Sequence, residues 1–249
     1  ALGAFLQETL AAAGVQTTTV QTDPDAHTSL VLVARTAATP DFLPVRDADF
    51  RLDPADLEDL VARARAVHTS TWPLSREPAR RCAERALRLA HAQSKLTSLD
   101  PNYTPRIWPD RREAIAVLEG ILPSVTITKP SQDDAARLFG ETLPPHEVIR
   151  RFHAMGPAMV LFTMGVEGMI LSADGEATHI PARPLEVADA TGAGDAFWSG
   201  FLMAHLDGLS PVHCAYVARE LAERKLRTVG ALPVIEDRRQ VYAKAKAAM

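Results

Sequence analysis

The sequence predicts an α/β fold in which helices cover both faces of a largely parallel β-sheet. Short apolar runs typical of buried strands alternate with amphipathic patterns of helical length along most of the 249 residues. This alternation indicates right-handed βαβ units, which bring successive strands into one sheet. The chain contains no internal repeat and no Gly/Ser-rich linker, so we expect a single domain spanning residues 1–249.

The composition agrees with this class and excludes others. Hydrophobic residues make up 47% of the chain and charged residues 23%, which supplies enough apolar surface to offset the entropy lost on folding. No run of about 18 residues is both apolar and uncharged, so no membrane-spanning helix is expected. A net charge of -4 gives no general basis for binding nucleic acid or an anionic membrane.

The cysteine and histidine patterns argue against a disulfide framework or a zinc site. The only cysteines, Cys82 and Cys214, lie in helical patterns, and we expect them to be small buried hydrophobes. The histidines show no spacing typical of structural zinc. These features favour a cytoplasmic protein.

The first half of the chain begins with a predicted helix at residues 2–13, which Gly14 ends. A strand at 29–33 follows, and Pro54 is expected to open a helix with Asp53 as its N-cap. Further strands are predicted at 66–70, 96–99 and 125–128, and further helices at 75–94, 111–122 and 131–139. Within the helix at 75–94, a solvated face is expected to contain Arg80, Arg81, Arg85 and Arg88.

The second half of the chain continues the alternation of predicted strands and helices. Asp174-Gly175 separates two β-like runs, which is a strong hairpin signal. Strands are predicted at 159–162, 169–172 and 178–180, and helices at 147–155, 195–206, 212–227 and 237–247.

The segment richest in chemical information is 187–197, VADATGAGDAF, which opens an apolar helix. Gly192 and Gly194 permit a tight turn and close approach of a ligand to the backbone. The N-terminus of the helix adds free N–H groups and a positive dipole end, so the segment predicts a phosphate site. Asp195 is then either a helix cap or a general base that takes a proton from an attacking alcohol, and the residues alone leave both interpretations open.

The run 189–197, DATGAGDAF, closely resembles the C-terminal signature of the ribokinase-like (PfkB) carbohydrate kinases. The resemblance implies a three-layer α/β/α fold with a mainly parallel central sheet and a small β lid. It implies that Asp195 is the catalytic base. It also implies that the backbone N–H groups of Gly192, Ala193 and Gly194 form an anion hole for the transferring phosphoryl group.

The same resemblance extends to a cation site, to the lid and to the beginning of the chain. It implies that Asp189 and Thr191 belong to a site for a monovalent cation, K⁺. The segment 41–49, DFLPVRDAD, resembles the β lid of these kinases, so residues 29–49 are expected to contribute to that lid and to a homodimer formed through it. The opening residues resemble the segment that follows the family's Gly-Gly…Asn substrate signature, so an N-terminal portion is expected to be missing.

Residues 162–168, FTMGVEG, resemble the family's Thr-x-Gly-x-x-Gly nucleotide loop. The resemblance implies that ATP contacts Thr163, Gly165 and Gly168. The alternative is that the two glycines only form a hairpin turn.

Residues 129–134, KPSQDD, resemble the family's Asn-x-x-Glu element, with Ser131 in place of Asn and Asp134 in place of Glu. The resemblance implies that Lys129 and Ser131 contact ATP and that Asp134 helps to hold Mg²⁺ through water. The alternative is a helix capped by Ser131 with acidic residues in its first turn.

Residues 99–108, LDPNYTPRIW, resemble an element of the fructokinase and 2-keto-3-deoxygluconate kinase branch. The resemblance implies that Asn102 contacts ATP and that Asp100 and Arg106 contact the substrate or a phosphate. Thr104 stands where this branch usually has Arg. The alternative is a strand that ends in an Asx/Pro turn.

Gly230 resembles the family's loop beside the adenine pocket, which implies a contact with ATP. Three nearby basic residues are interpreted as a solvated helix end rather than as phosphate ligands: Arg224, Lys225 and Arg227.

The resemblance as a whole implies an ATP- and Mg²⁺-dependent kinase that phosphorylates a hydroxymethyl group of a sugar or sugar acid. Two alternatives remain. One is a nucleoside kinase of the same fold, and the other is a non-catalytic relative that binds a sugar or a nucleotide.

Overall fold

The elements of the fold confirm the predicted alternation of strands and helices. The computed structural model describes residues 1–33, 42–52, 54–231 and 237–249. Its strands are β1 (Leu30–Val33), β2 (Phe42–Val45), β3 (Ala66–Ser70), β4 (Leu96–Asp100), β5 (Ile127–Thr128), β6 (Met159–Thr163), β7 (Met169–Ala173) and β8 (Glu176–Ile180). Its helices are α1 (Leu2–Ala12), α2 (Leu57–Arg63), α3 (Thr71–Leu74), α4 (Ala79–Ala92), α5 (Arg111–Ile121), α6 (Gln132–Phe139), α7 (Pro145–Ala154), α8 (Ala193–Leu206), α9 (Pro211–Leu226) and α10 (Arg238–Ala247).

Six strands form one sheet in chain order, from β3 at one edge to β8 at the other. The pairs from β3 to β6 are parallel, whereas β7 and β8 are antiparallel additions. The predicted hairpin turn is present, because Asp174 and Gly175 have φ values of 53° and 80°. Two positive φ values are typical of the tight turn that joins twisted antiparallel strands.

Helices cover both faces of this sheet. Alternate side chains of a strand point to opposite faces, and β6 shows the consequence. Val160 and Phe162 join a core with side chains from α4, α5, α6 and α7. Met159 and Leu161 join a second core with α8, α9 and α10. The result is the three-layer α/β/α fold that the sequence predicted.

Side-chain caps determine where several helices begin. Asp110 accepts the backbone N–H groups of Arg112 and Glu113 before α5, and Ser131 caps α6. Gly140 ends α6 with a φ of 76°, a left-handed conformation that glycine adopts without strain. These boundaries agree with the predicted ones.

Two helices begin later than predicted. The helix expected from Pro54 begins at Leu57, and its expected N-cap, Asp53, lies outside the described residues. The helix expected from residue 75 begins at Ala79. Pro78 explains this start, because proline disfavours helical backbone at the residue before it.

Arg80 does not belong to a solvated face, so that part of the prediction is wrong. Its guanidinium lies 5.0 Å from the centroid of the Trp108 ring and 2.8 Å from Glu113 Oε1. The other arginines of the predicted face are exposed: Arg81, Arg85 and Arg88.

β1 and β2 form a separate two-stranded antiparallel sheet at the position of the predicted β lid. Residues 34–41 of the predicted lid segment lie outside the described residues. The base of this sheet contacts the main body through Arg46, which lies 2.7 Å from Asp49 Oδ2 and donates to Ser75 Oγ at 2.6 Å. Trp72 Nε1 donates to the same Asp49 oxygen at 2.6 Å.

Both cysteines are free and buried, as predicted. Cys82 packs with Leu57 and Val61 where α2 meets α4. In the part of the chain that the structure describes, no helix has the length and apolar character needed to cross a bilayer.

Gly168 provides a test of the packing between the β6–β7 connection and β8. Its φ is +86°, and a Cβ there would lie 2.2 Å from the carbonyl oxygen of Ile180. Gly175 has a similar φ of +80° but nothing within 4 Å of that position. We expect Gly175→Ala to lower the free energy of unfolding by about 1–2 kcal/mol, the cost of left-handed backbone alone, and Gly168→Ala to cost more than about 3 kcal/mol. Urea unfolding measures both losses, and equal losses would contradict this packing.

Candidate active site

Charged side chains collect where the carboxyl ends of the parallel strands meet, which is where open α/β sheets bind ligands. Asp100 is the last residue of β4, and Lys129 directly follows β5. Asp195 lies in the first turn of α8, and its charge acts on Asp100. The position of a Cβ on Gly194 is 3.9 Å from Lys129 Nζ. The structure therefore brings these predicted site residues together.

The start of α8 has the geometry of an anion site. Gly192 is the N-cap and has a φ of 80°, a conformation that favours glycine. The N–H of Ala193 donates to Ala190 O at 3.2 Å. Within the described ranges, the N–H groups of Gly192, Gly194 and Asp195 donate to no acceptor. These donors lie at the positive end of the helix dipole, where an anion is stabilised.

The side chain of Asp195 is exposed and lies three residues after the N-cap Gly192, in the first turn of α8. Asp195 still lies where a carboxylate interacts favourably with the helix dipole, so both interpretations of Asp195 stay open. No hydrogen bond or ion pair between described residues engages its carboxylate. The carboxylate is therefore free to accept a hydrogen bond from a bound hydroxyl group.

Asp189 joins the loop before α8 to the end of α9. Its Oδ1 accepts the Thr191 N–H at 3.0 Å, and its Oδ2 lies 3.5 Å from Gly230 N and 3.6 Å from Lys225 Nζ. The hydrogen bonds from Thr191, followed by the Gly230 N–H and the Lys225 charge, hold the pKa of Asp189 below its ordinary value. The prediction that Lys225 belongs to a solvated helix end is wrong, because Lys225 is 4% exposed.

Asp100 and Lys129 form a buried ion pair, with Lys129 Nζ 3.2 Å from Asp100 Oδ2. Desolvation raises the pKa of Asp100, the nearby Lys129 charge opposes this shift, and Asp195 adds to it. Asp100 Oδ1 is buried and makes no hydrogen bond of ordinary geometry among the described residues, although the Trp198 side chain interacts with this carboxylate and acts to lower its pKa. An unpaired buried oxygen is costly, so Asp100 retains an acceptor for which a bound ligand can supply the missing donor.

Ser131 and Asp134 form a capping box, the alternative that the sequence left open. Ser131 Oγ accepts the Asp134 N–H at 3.0 Å, and Asp134 Oδ2 accepts the Ser131 N–H at 3.0 Å. Burial, followed by the negative charge of Asp100, raises the pKa of Asp134. The cap engages only Oδ2 of the Asp134 carboxylate, so the other oxygen has no role in capping.

The acidic groups at this edge fit a Mg²⁺ ion that is bound mainly by nucleotide phosphates and water. Asp134 and Asp100 interact electrostatically, and so do Asp100 and Asp195. No three His, Cys, Asp or Glu side chains of the described ranges form a metal site of their own. Mg²⁺ commonly keeps several waters and uses only one or two carboxylates, so these residues fit such an ion.

The predicted nucleotide loop contains two glycines with different surroundings. The Thr163 N–H donates to Pro130 O at 3.0 Å, which joins the end of β6 to the segment after β5. Gly165 has a φ of +58° and nothing within 4 Å of a Cβ position, whereas Gly168 is in contact with β8. Gly165 therefore leaves space for a ligand, and Gly168 meets a packing requirement. Gly230 has a φ of +84° and is equally open.

Asn102 and Arg106 contact other parts of the protein. Asn102 is exposed, with a positive φ of 35° that suits a turn, and its carbonyl accepts Thr71 Oγ1 at 3.3 Å. Arg106 donates to Phe42 O at 3.1 Å. Arg106 thus connects the segment after β4 to the two-stranded sheet of β1 and β2.

His68 and Trp198 were not predicted from the sequence, yet their rings lie 5.0 Å apart beside this edge. His68 Nδ1 lies 2.8 Å from Ser98 Oγ. Trp198 Nε1 makes no hydrogen bond of ordinary geometry in the described chain, but the Trp198 side chain interacts with the Asp100 carboxylate. Although His68 exposes part of its surface, burial of the ring and the Lys129 charge lower its pKa to about 4, against the opposing effect of Asp195. No local pattern could reveal this contact, because β3 and α8 are far apart in sequence.

Comparisons with known proteins identify similar chains. Residues 1–238 match the family described as "pfkB family carbohydrate kinase". The ATP-dependent 6-phosphofructokinase of Thermoanaerobacterium thermosaccharolyticum is 35% identical over 222 residues, which cover 88% of this chain and 69% of that protein. The 2-dehydro-3-deoxygluconokinase of Thermoproteus tenax is 29% identical over 216 residues, 84% of this chain and 65% of that protein. The structure of Halothermothrix orenii fructokinase matches with a TM-score of 0.74 and 35% identity, over 93% of this chain and 78% of that chain.

The His68 ring provides a pH test of the site. Its pKa of about 4 lies below the ordinary 6.5, so we expect the ring to be neutral at pH 7 and its NMR titration midpoint to lie near 4. Because the folded-state pKa is the lower one, the stability contribution is complete above pH 6.5 and is lost as the pH falls towards 4. His68→Gln should therefore lose less stability over this interval than the wild type. A midpoint close to 6.5 would show that the ring is not buried in this way.

Proposed function

Since the chain belongs to the pfkB family of carbohydrate kinases, we propose that it transfers the γ-phosphoryl group of ATP to a hydroxymethyl group of a sugar or sugar acid, with Asp195 as general base. Sugar phosphorylation by ATP with Mg²⁺ is the activity of the family. The proposal adds the chemical group that is phosphorylated and the residues that take part in the reaction.

The observation that carries the proposal is the unpaired, exposed carboxylate of Asp195 beside free N–H groups at the start of α8. A hydroxyl group bound to this carboxylate can transfer its proton as its oxygen attacks the γ-phosphorus. A carboxylate would otherwise weaken an anion site by repulsion. The proposed role as base explains why an acidic residue stands at this position.

The start of α8 supplies electrostatic stabilisation. In this proposal the N–H groups of Gly192 and Gly194 stabilise the negative charge that develops on the transferring group, and they need no reorganisation during the reaction because the helix N-terminus already holds them. The resemblance also assigns Ala193 to the anion hole, and its N–H must then exchange its present acceptor, Ala190 O, for the phosphoryl oxygen.

The groups at the carboxyl ends of the strands bind the nucleotide in this proposal. Lys129 and Ser131 lie beside the phosphates, and Asp134 holds Mg²⁺ through water. When bound, Mg²⁺ neutralises charge on the phosphate oxygens. The open surroundings of Gly165 and Gly230 support binding of the rest of the nucleotide near these two loops. The resemblance also implies nucleotide contacts at Thr163, Gly168 and Asn102.

The acceptor sugar is proposed to bind between this edge and the β lid. Asp100 offers an unpaired acceptor oxygen for a sugar hydroxyl. Arg106 joins the lid to the segment after β4, which supports a contact between Arg106 and the substrate when the lid closes. Closure of the lid would exclude water and limit hydrolysis of ATP.

Asp195→Asn tests the general base. We expect kcat to fall by about 10²–10⁴-fold, because the amide cannot accept the proton. The Kd for ATP should remain near the wild-type value, since Asp195 contacts the acceptor. The measurement is ATP consumption over a panel of sugars and sugar acids, together with calorimetric titration of ATP.

The matched control is Asp59→Asn, which changes another exposed acidic residue in the first turn of a helix. This control should retain wild-type turnover and ATP affinity. Full activity of Asp195→Asn would remove the base assignment.

The resemblance also implies a homodimer formed through the β lid, and the lid surface supports that proposal. Its exposed apolar side chains are Leu30, Val31, Leu32, Val33, Leu43 and Val45. Burial of such a patch favours association.

Leu32 is 59% exposed and tests the lid dimer. We expect Leu32→Glu to shift the protein to monomers in sedimentation velocity, because a buried unpaired carboxylate opposes association. Glu8→Gln, a change of charge on α1, should leave the oligomeric state unchanged. A wild-type protein that sediments as a monomer at all concentrations would contradict the proposal.

A further inference from the structure

The ammonium group of Lys225 lies among oxygens at the end of α9. It donates to Thr228 O at 3.0 Å and lies 3.5 Å from the carbonyl oxygen of Asp189. The carboxylate Oδ2 of Asp189 is 3.6 Å away. One carboxylate and two carbonyl oxygens thus surround a single positive charge that has three N–H donors.

The burial of this group requires such a set of partners. The Lys225 side chain is 6% exposed and that of Asp189 is 9% exposed. Lysine is almost never buried this deeply without a partner, because removing the charge from water is costly. The neighbouring acid, Glu223, is instead paired with Arg183, so Asp189 is the carboxylate that neutralises Lys225.

We propose that the Lys225 ammonium group takes the place of the monovalent cation that the family resemblance implies at Asp189 and Thr191, so that this chain needs no K⁺. Ammonium and K⁺ carry the same charge, have similar size and bind the same carboxylate and carbonyl oxygens. A further cation on Asp189 would meet the Lys225 charge at close range. The residues present therefore do not fit K⁺.

The place of Lys225 makes it a positioning residue for the anion hole. Its Cε is 3.6 Å from the position of a Cβ on Gly192, so its side chain passes directly beside the loop before α8. Asp189 in turn accepts the Thr191 N–H. In this inference Lys225 acts on the N–H groups of Gly192 and Gly194 through the loop rather than on the substrate. This effect on turnover rests on the proposed function of the loop.

The test replaces Lys225 with Ala and compares K⁺, NH₄⁺ and the bulky tetramethylammonium ion at constant ionic strength. We expect the wild type to have the same Tm and the same kcat in all three salts. Lys225→Ala should lose about tenfold or more in kcat in tetramethylammonium, and K⁺ or NH₄⁺ should restore most of it. The same two ions should raise the Tm of the variant by a few degrees through binding to the folded state.

Two further variants complete the experiment. Lys246→Ala removes an exposed lysine of α10 and should show no response to the choice of cation. Lys225→Met keeps much of the side-chain volume but not the charge, and it should remain insensitive to K⁺ because its thioether fills the space. If Lys225→Ala does not fold, the comparison of K⁺ with tetramethylammonium on the wild type decides, because activation by K⁺ would contradict the inference.

The outcomes separate this inference from the proposed function. Activation of the wild type by K⁺, or a Tm of Lys225→Ala that does not depend on the cation, would overturn the role of Lys225. If no sugar is phosphorylated, the general-base proposal fails, but the Tm comparison still decides whether Lys225 replaces a cation.

Discussion

The carboxylate of Asp189 is the contact on which the arrangement of the site depends. It accepts a hydrogen bond from Thr191 in the loop before α8 and lies beside Lys225 at the end of α9. The backbone N–H groups of Ala188 and Asp189 also donate to Leu226 O and join the same two segments. Together they fix the direction in which the chain enters α8, and that direction requires left-handed backbone at Gly192. A loop with this geometry suits the proposed anion site, because its free N–H groups lie at the N-terminus of a helix.

A second cluster of charged side chains lies at the ends of β4 and β5 and consists of one lysine and two buried carboxylates. The Lys129 charge stands against the carboxylates of Asp100 and Asp134, both of which have raised pKa values because they are buried. Breaking one half of a buried pair leaves an uncompensated charge, so the pair is more important for keeping the edge intact than for net stability. The unpaired Asp100 Oδ1 shows that polar capacity remains for a ligand. Both clusters approach the start of α8, because Lys225 lies beside Gly192 and Lys129 lies beside Gly194, and the proposed reaction takes place at this helix start.

Local patterns were sufficient to predict most of the fold. The alternation of apolar runs, the hairpin at Asp174-Gly175 and the N-cap Ser131 depend on interactions between residues close in sequence, and the structure contains all three. The prediction of a solvated Lys225 is wrong because this side chain is buried by a loop that is distant in sequence. The contact between His68 and Trp198 was not predicted either, because β3 and α8 are far apart in sequence. Helical periodicity identifies a buried face but does not identify the element that covers it.

The central claim is that the start of α8 receives the transferring phosphoryl group while Asp195 takes the proton. A crystal structure of the protein with ADP, Mg²⁺, aluminium fluoride and a sugar accepted in the activity screen tests it most directly. We expect the fluoride group within hydrogen-bond distance of the Gly192 and Gly194 N–H groups, with the acceptor hydroxyl on the Asp195 carboxylate. A fluoride group held elsewhere, or an acceptor hydroxyl directed away from Asp195, would contradict the account.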